Sequence, residues 1–178
     1  MLVALIVLIA LTLAGLALIR SVDTTNLIAG NMSFHESAVH AGERSTELAV
    51  TNWLQPNNQT AAGKIVLYDH NAANGYRAVR ADPATGVSLD VYWASLAGQT
   101  LTGATDVAGN TVSYVIHRLC DATGDPLLAS CSKPPAINGP FTIGVPGPTP
   151  PPQVYYRVTA RIVGPRNTVA YTQAILAL

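Results

Sequence analysis

Met1–Ile19, MLVALIVLIALTLAGLALI, carries no charged side chain, and the first charges come at Arg20 and Asp23. A bilayer-spanning helix needs about 20 consecutive apolar residues, so this segment is long enough to cross a membrane. It differs from a secretory signal: no basic stretch precedes the apolar run, and no clean small-x-small cleavage site follows it. The polar sequence from Ser21 to about Leu54 has almost no helix breakers before Pro56. One helix is therefore expected to run out of the apolar segment and through the polar one, about 54 residues and roughly 80 Å at 1.5 Å per residue. Three parts follow: an apolar helix over 1–20, its amphipathic continuation over 21–55, and a β-rich head over 56–178.

Composition narrows the function classes. Ten Lys+Arg balance ten Asp+Glu, and no basic stripe of the kind that binds nucleic acid is present. Zero net charge gives little self-repulsion, which favours association. Cys120 and Cys131 stand close together, well outside the apolar segment. On the far side of a membrane they would pair as a disulfide, and in a cytosolic protein they would stay as two thiols. The anchor favours the disulfide.

Between Arg20 and Pro56, residues Phe34, Ala38, Ala41, Ser45 and Leu48 recur at helical spacing and define one face of mostly small side chains. This face is expected to meet the sheet. Glu36 and His40 lie four apart on a neighbouring face, and Gly30 and Gly42 weaken the helix locally. Pro56, with Asn57 and Asn58, is expected to end it.

Beyond it the sequence turns to strands and turns. Lys64–Tyr68 and Tyr76–Arg80 read as short strands around the loop DHNAANG, and Val87–Trp93 as a strand or a short helix running on through ASLAG. Thr111–Leu119 reads as a strand that delivers Cys120. Val154–Val163 alternates strictly: Val154, Tyr156, Val158, Ala160 and Ile162 against Tyr155, Arg157, Thr159 and Arg161. That is the pattern of a half-buried antiparallel strand. Gly164–Asn167 is a turn, and Thr168–Leu176 returns as the second arm of a hairpin. Lys133–Gln153 holds eight prolines, which excludes a sheet or helix interior and suits an extended loop, either a plain connector or an intersubunit contact. The fold class is α+β: a long N-terminal helix laid on a small antiparallel sheet of four or five strands, with Val154, Tyr156, Val158 and Ile162 covering the helix.

Three pieces carry a resemblance: LIVLIALTLAGLALIRS with LIAGN (Leu27–Asn31) and the Ala/Glu-rich helix after it, YVIHRLC (Tyr114–Cys120), and the ending YYRVTARIVGPRNTVAYTQAIL. In this order and spacing the chain resembles type IV pilins, and within them the PilX-like group. The resemblance implies an inner-membrane precursor, cut by a prepilin peptidase and methylated at its new N-terminus. Subunits then leave the membrane for an extracellular pilus, with apolar helices bundled in the core and heads tiling the outside. Its partners would be other copies or other pilins, the inner membrane and the pilus assembly machinery. With no leader ahead of it, Met1 looks like the first mature residue. Where typical pilins carry a glutamate at the fifth position, this chain has Leu5, a departure shared with PilX-like proteins. It removes both the desolvation cost of a buried carboxylate and its use as a registry device. Thr12 is the only polar side chain before Arg20 and can bond only its own helix or one neighbour. Gly15 marks either a point where the helix melts, around Ala14–Asp23, or a close-packing glycine.

Little in the chain points to chemistry. The phosphate-binding, dinucleotide-binding, nucleophile-elbow and zinc-protease motifs are all missing. The four histidines, His35, His40, His70 and His117, are scattered, and Asp69–Gly75 lacks the spacing and closing glutamate of a calcium loop. Neither metal nor cofactor is expected. Asn31-Met32-Ser33 and Asn58-Gln59-Thr60 fit the glycosylation pattern by chance. The expected function is structural: a pilin-like subunit, either the main repeating one or a minor one that primes the tip. A membrane-anchored adhesin or binding module is the alternative, and an enzyme the least favoured.

Overall fold

The computed structural model describes residues 1–132 and 153–178. The proline-rich stretch lies, Gln153 apart, outside them. Helix α1 (Leu2–Ala49) runs unbroken from the apolar segment into the head. It continues through one widened π turn (Val50–Leu54) into α2 (Gln55–Asn58). Pro56 therefore does not stop the helix as expected. A proline lacks its N–H and crowds the carbonyl four residues back, and a wide turn immediately before it provides the space. The helix ends two residues later, where the Asn57 amide donates to the Trp53 carbonyl at 2.8 Å.

Lys64–Tyr68, expected as a strand, belongs mainly to helix α3 (Ala61–Val66), capped by Thr60, whose hydroxyl accepts from the Gly63 N–H at 3.0 Å. Only Leu67 of this run is buried, while Ile65 is 61% exposed. A short apolar run does not by itself choose between helix and strand. The cap and the lack of a strand partner decide it here. Strand β1 is shorter than expected, Tyr76–Arg77 alone. The Val87–Trp93 region is helical, as α4 (Leu89–Ser95), capped by Ser88.

The sheet has five strands: β1, β2 (Leu101–Thr102), β3 (Thr111–Arg118), β4 (Tyr155–Val163) and β5 (Val169–Ala177). Its order is β1-β3-β4-β5, with β2 also beside β3. The expected α+β plan holds, although the sheet is mixed: β1 enters parallel to β3 and the other pairs are antiparallel. The β4–β5 hairpin closes through Gly164–Asn167, where Arg166 and Asn167 take positive φ. The Arg166 guanidinium lies over the Phe34 ring, 5.6 Å from its centre.

The sheet is covered on both faces. On one, Tyr114 and Ile116 of β3 and Tyr156, Val158, Ala160 and Ile162 of β4 pack against α1. The helix face that meets them is shifted from the expected one. Ala38, Gly42, Ser45 and Ala49 are buried and Ala41 half-buried, whereas Leu48 is 44% exposed. The closest approach sets this face: a Cβ on Gly42 would lie 2.6 Å from the Thr172 hydroxyl and 2.8 Å from Ile162 Cδ1. On the other face Tyr92 and Leu96 of α4 cover Val115.

Candidate functional site

The most unusual surface is the N-terminal half of α1. From Met1 to Ile19 its large apolar side chains are exposed on every side of the helix, Leu5 by 60% and Leu11 by 67%. A helix that is apolar all round is stable only when surrounded by lipid or by other helices. The continuous helical run over Leu2–Asn58 is long and apolar enough to cross a membrane, and its apolar window touches nothing in the head.

The residues singled out in this segment have simple surroundings. The Thr12 hydroxyl donates to the Ile9 carbonyl at 2.9 Å, so its polarity is satisfied within its own helix. Thr24 and Thr25 do the same one turn back. Leu5 donates its N–H to the Met1 carbonyl and presents a purely apolar side chain. Gly15 sits in unbroken helix with nothing within 4 Å of a Cβ placed on it. Among the described residues, then, Met1, Leu5, Thr12 and Gly15 form no polar site. Together they are one side of an apolar rod.

The head has its own internal fastenings. Cys120 and Cys131 are bonded as a disulfide. Beneath the loop it closes lies Arg118, a fully buried cation that sequence reasoning missed. Its Nε donates to the Ala78 carbonyl at 2.9 Å, and its terminal nitrogens donate to the carbonyls of Gly124 and Ala122 at 2.9 and 3.0 Å. A buried charge needs such partners to offset its lost hydration. The signal for it was present: Arg118 shares strand parity with Tyr114 and Ile116.

Across the opposite face, Arg77, His117 and Arg157 are register partners on β1, β3 and β4. Arg157 pairs with Asp82 and the Ala81 carbonyl, and Arg77 with Gln99. His117 is fully buried and neither ring nitrogen has a partner. Burial, with the two neighbouring guanidiniums, pushes its pKa down to about 4. The hydrogen bond from Arg157 holds Asp82 below the usual carboxylate range. This cluster joins the Ala81–Gln99 segment to the sheet.

Among the described residues no three His, Cys, Asp or Glu side chains converge on a metal position. His35 and His40 are exposed on α1, and Asp69–Gly75 is a turn in which Asn71 accepts from the Asn74 N–H at 3.2 Å. The groove between α3 and the C-terminus, lined by Lys64, Tyr68, Leu127 and Leu178 among others, holds about 230 Å³.

No family model, curated protein or solved structure matches the chain.

Proposed function

We propose that this chain is a pilin-like structural subunit, anchored in the bacterial inner membrane before assembly and then built into an extracellular filament. The observation that carries the proposal is the uncharged rod of Leu2–Ile19, exposed on all sides and continuous with the helix that the head grips. Its twelve exposed large side chains leave on the order of 20 kcal/mol of apolar burial unrealised in the isolated chain. Lipid supplies that burial before assembly, and a bundle of identical helices supplies it afterwards. The same helix carries the head, so the bundle fixes the heads in an outer layer. The order of segments along the chain, and its resemblance to type IV pilins, support the same reading. A structural role needs no catalytic group, cofactor or metal.

Leu5 favours a second version, in which the chain is a minor, PilX-like subunit that primes the tip. The purely apolar Leu5 offers no charged partner to a neighbouring subunit, so register there comes from shape alone. Mechanical shearing of cells, followed by quantitative mass spectrometry of the filament and membrane fractions, tests the proposal. A main subunit dominates the filament fraction, and a tip subunit appears there at trace stoichiometry. Retention wholly in the membrane fraction overturns both and leaves a membrane-anchored binding module.

A further inference from the structure

The outer edge of β5 is unusual for a sheet that ends in water. Val154 and Leu178 exchange both backbone bonds, at 2.9 and 3.1 Å, and Gly164 donates to the Thr168 carbonyl at 2.8 Å. In an antiparallel pair such bonded positions alternate. With the observed register, the N–H and C=O groups of Val169, Tyr171, Gln173, Ile175 and Ala177 point away from β4. Among the described residues nothing pairs with them.

Natural edge strands are blunted by charge, proline, bulges or brevity. This one is nine residues long, and Thr168–Leu178 (TVAYTQAILAL) contains no charge and no proline. The other side of the sheet is protected by brevity, since β1 and β2 have two residues each. An open-ended array of heads joined edge to opposite edge is therefore disfavoured, and the partner that fits β5 is another β5.

We infer that β5 is a self-pairing edge, joining the heads of two copies through an antiparallel, two-fold β5–β5 contact. Placing the axis at Gln173 overlaps the whole strand. Every outward N–H and C=O then finds a partner, and Tyr171 faces Ile175 of the second copy on both sides of the axis. Such aromatic–β-branched pairs are favourable across strands. Val169 faces Ala177. The contact is isologous, so it closes at two copies. Among the described residues, Glu43 is the one charged side chain lining the groove between α1 and β5, and its carboxylate lies 3.3 Å from the His40 ring.

The symmetry has a consequence. α1 packs flat on one face of the sheet, against β4 and β5, and an axis normal to the sheet reverses the helix together with the strand. The two apolar rods leave in opposite directions. The contact therefore joins heads on separate filaments or separate membranes, and not neighbours anchored side by side. It does not rest on the filament reading.

The test is oxidative cross-linking of the full chain in detergent micelles, with Gln173→Cys and, as control, Val169→Cys. Bonded antiparallel positions have Cα atoms about 5.5 Å apart, within disulfide reach. Gln173 meets its own symmetry mate, whereas Val169 meets Ala177. The expected result is about tenfold more covalent dimer at 173 than at 169, lost when Ile175→Lys is added. Clustering through the apolar helices does not discriminate these positions. Equal cross-linking at both, none at 173, or a yield at 173 that survives Ile175→Lys overturns the inference. The near-ultraviolet circular dichroism of each variant, unchanged from the parent, shows that the head is folded when the result is read.

Discussion

Replacing Gly42 by alanine destabilises this head, although alanine is the better helix former. The helical gain is about 1 kcal/mol. Against it stands the contact with the sheet. The new Cβ would lie 2.6 Å from Thr172 Oγ1, 2.8 Å from Thr172 Cγ2 and 2.8 Å from Ile162 Cδ1. Both branches of Thr172 face the helix, so exchanging one for the other relieves nothing, and α1 must lift off β5. Overpacking costs about 1–3 kcal/mol, and three contacts under 3 Å place this site in the upper part of that range, about 2–3 kcal/mol, which leaves a net loss of roughly 1–2 kcal/mol and lowers the melting temperature by about 2–8 °C. Gly30→Ala is the internal control, because nothing lies within 4 Å of its Cβ, and it should be neutral or stabilising. Thr172→Ala in the Gly42→Ala background should recover most of the loss, since the Thr172 hydroxyl is buried without a partner. The assay is thermal unfolding of the full chain in detergent, followed by near-ultraviolet dichroism and by the fluorescence of Trp53 and Trp93, which report the head. If Gly42→Ala melts as high as Gly30→Ala, the helix–sheet packing described above is wrong.

Acid should weaken the head through His117. Its folded pKa, near 4, lies below the ordinary 6.5, so the unfolded chain takes up the proton first; stability is full above pH 6.5 and falls by about 3 kcal/mol as the pH drops towards 4. Asp82, whose pKa is also lowered, adds a loss at still lower pH. His117→Phe should flatten the upper part of that profile in denaturant titrations at several pH values, and an unchanged profile would remove His117 as the cause. Arg118→Met should cost about 3 kcal/mol or more, because it strands the carbonyls of Ala78, Ala122 and Gly124; a loss under 1 kcal/mol in urea unfolding would show that water replaces the guanidinium. Reduction of the Cys120–Cys131 bond should cost about 3 kcal/mol in the chain-entropy picture, measured as a drop in urea midpoint with dithiothreitol that a Cys120→Ala/Cys131→Ala variant no longer shows.

What the sequence makes legible here is what local periodicity controls. The strict alternation of Val154–Val163 places Tyr156, Val158, Ala160 and Ile162 in the core, and they are there. The charge-free start announces an apolar helix, and the polar stretch after it continues that helix. What escapes is decided between elements. The buried helix face keeps Ala38 and Ser45 but turns from Leu48 towards Gly42 and Ala49, because Gly42 lets α1 approach β5 most closely, a property of the partner surface and not of helical spacing. Pro56 stays in the helix because a wide turn forms ahead of it. Lys64–Tyr68 has the composition of a strand, and lacks only a strand to pair with. Arg118 was hidden by its type: arginine is read as exposed, yet its parity on β3 puts it in the core, where three backbone carbonyls receive it. For the candidate site, sequence reading found the apolar rod and both cysteines. The unpaired edge of β5 emerges only once the strand order is known.

In the proposed function, Leu2–Ile19 ends inside a helical bundle. Electron cryomicroscopy of filaments sheared from the source cells tests it most directly, by asking whether the side chains of this sequence fit the repeating density. The expected map has α1 at the filament core with Leu5 against apolar side chains of its neighbours, and the α1–sheet head, with Gly42 against Thr172, in the outer layer. Filaments built wholly of another chain, with this one left in the membrane, would contradict it.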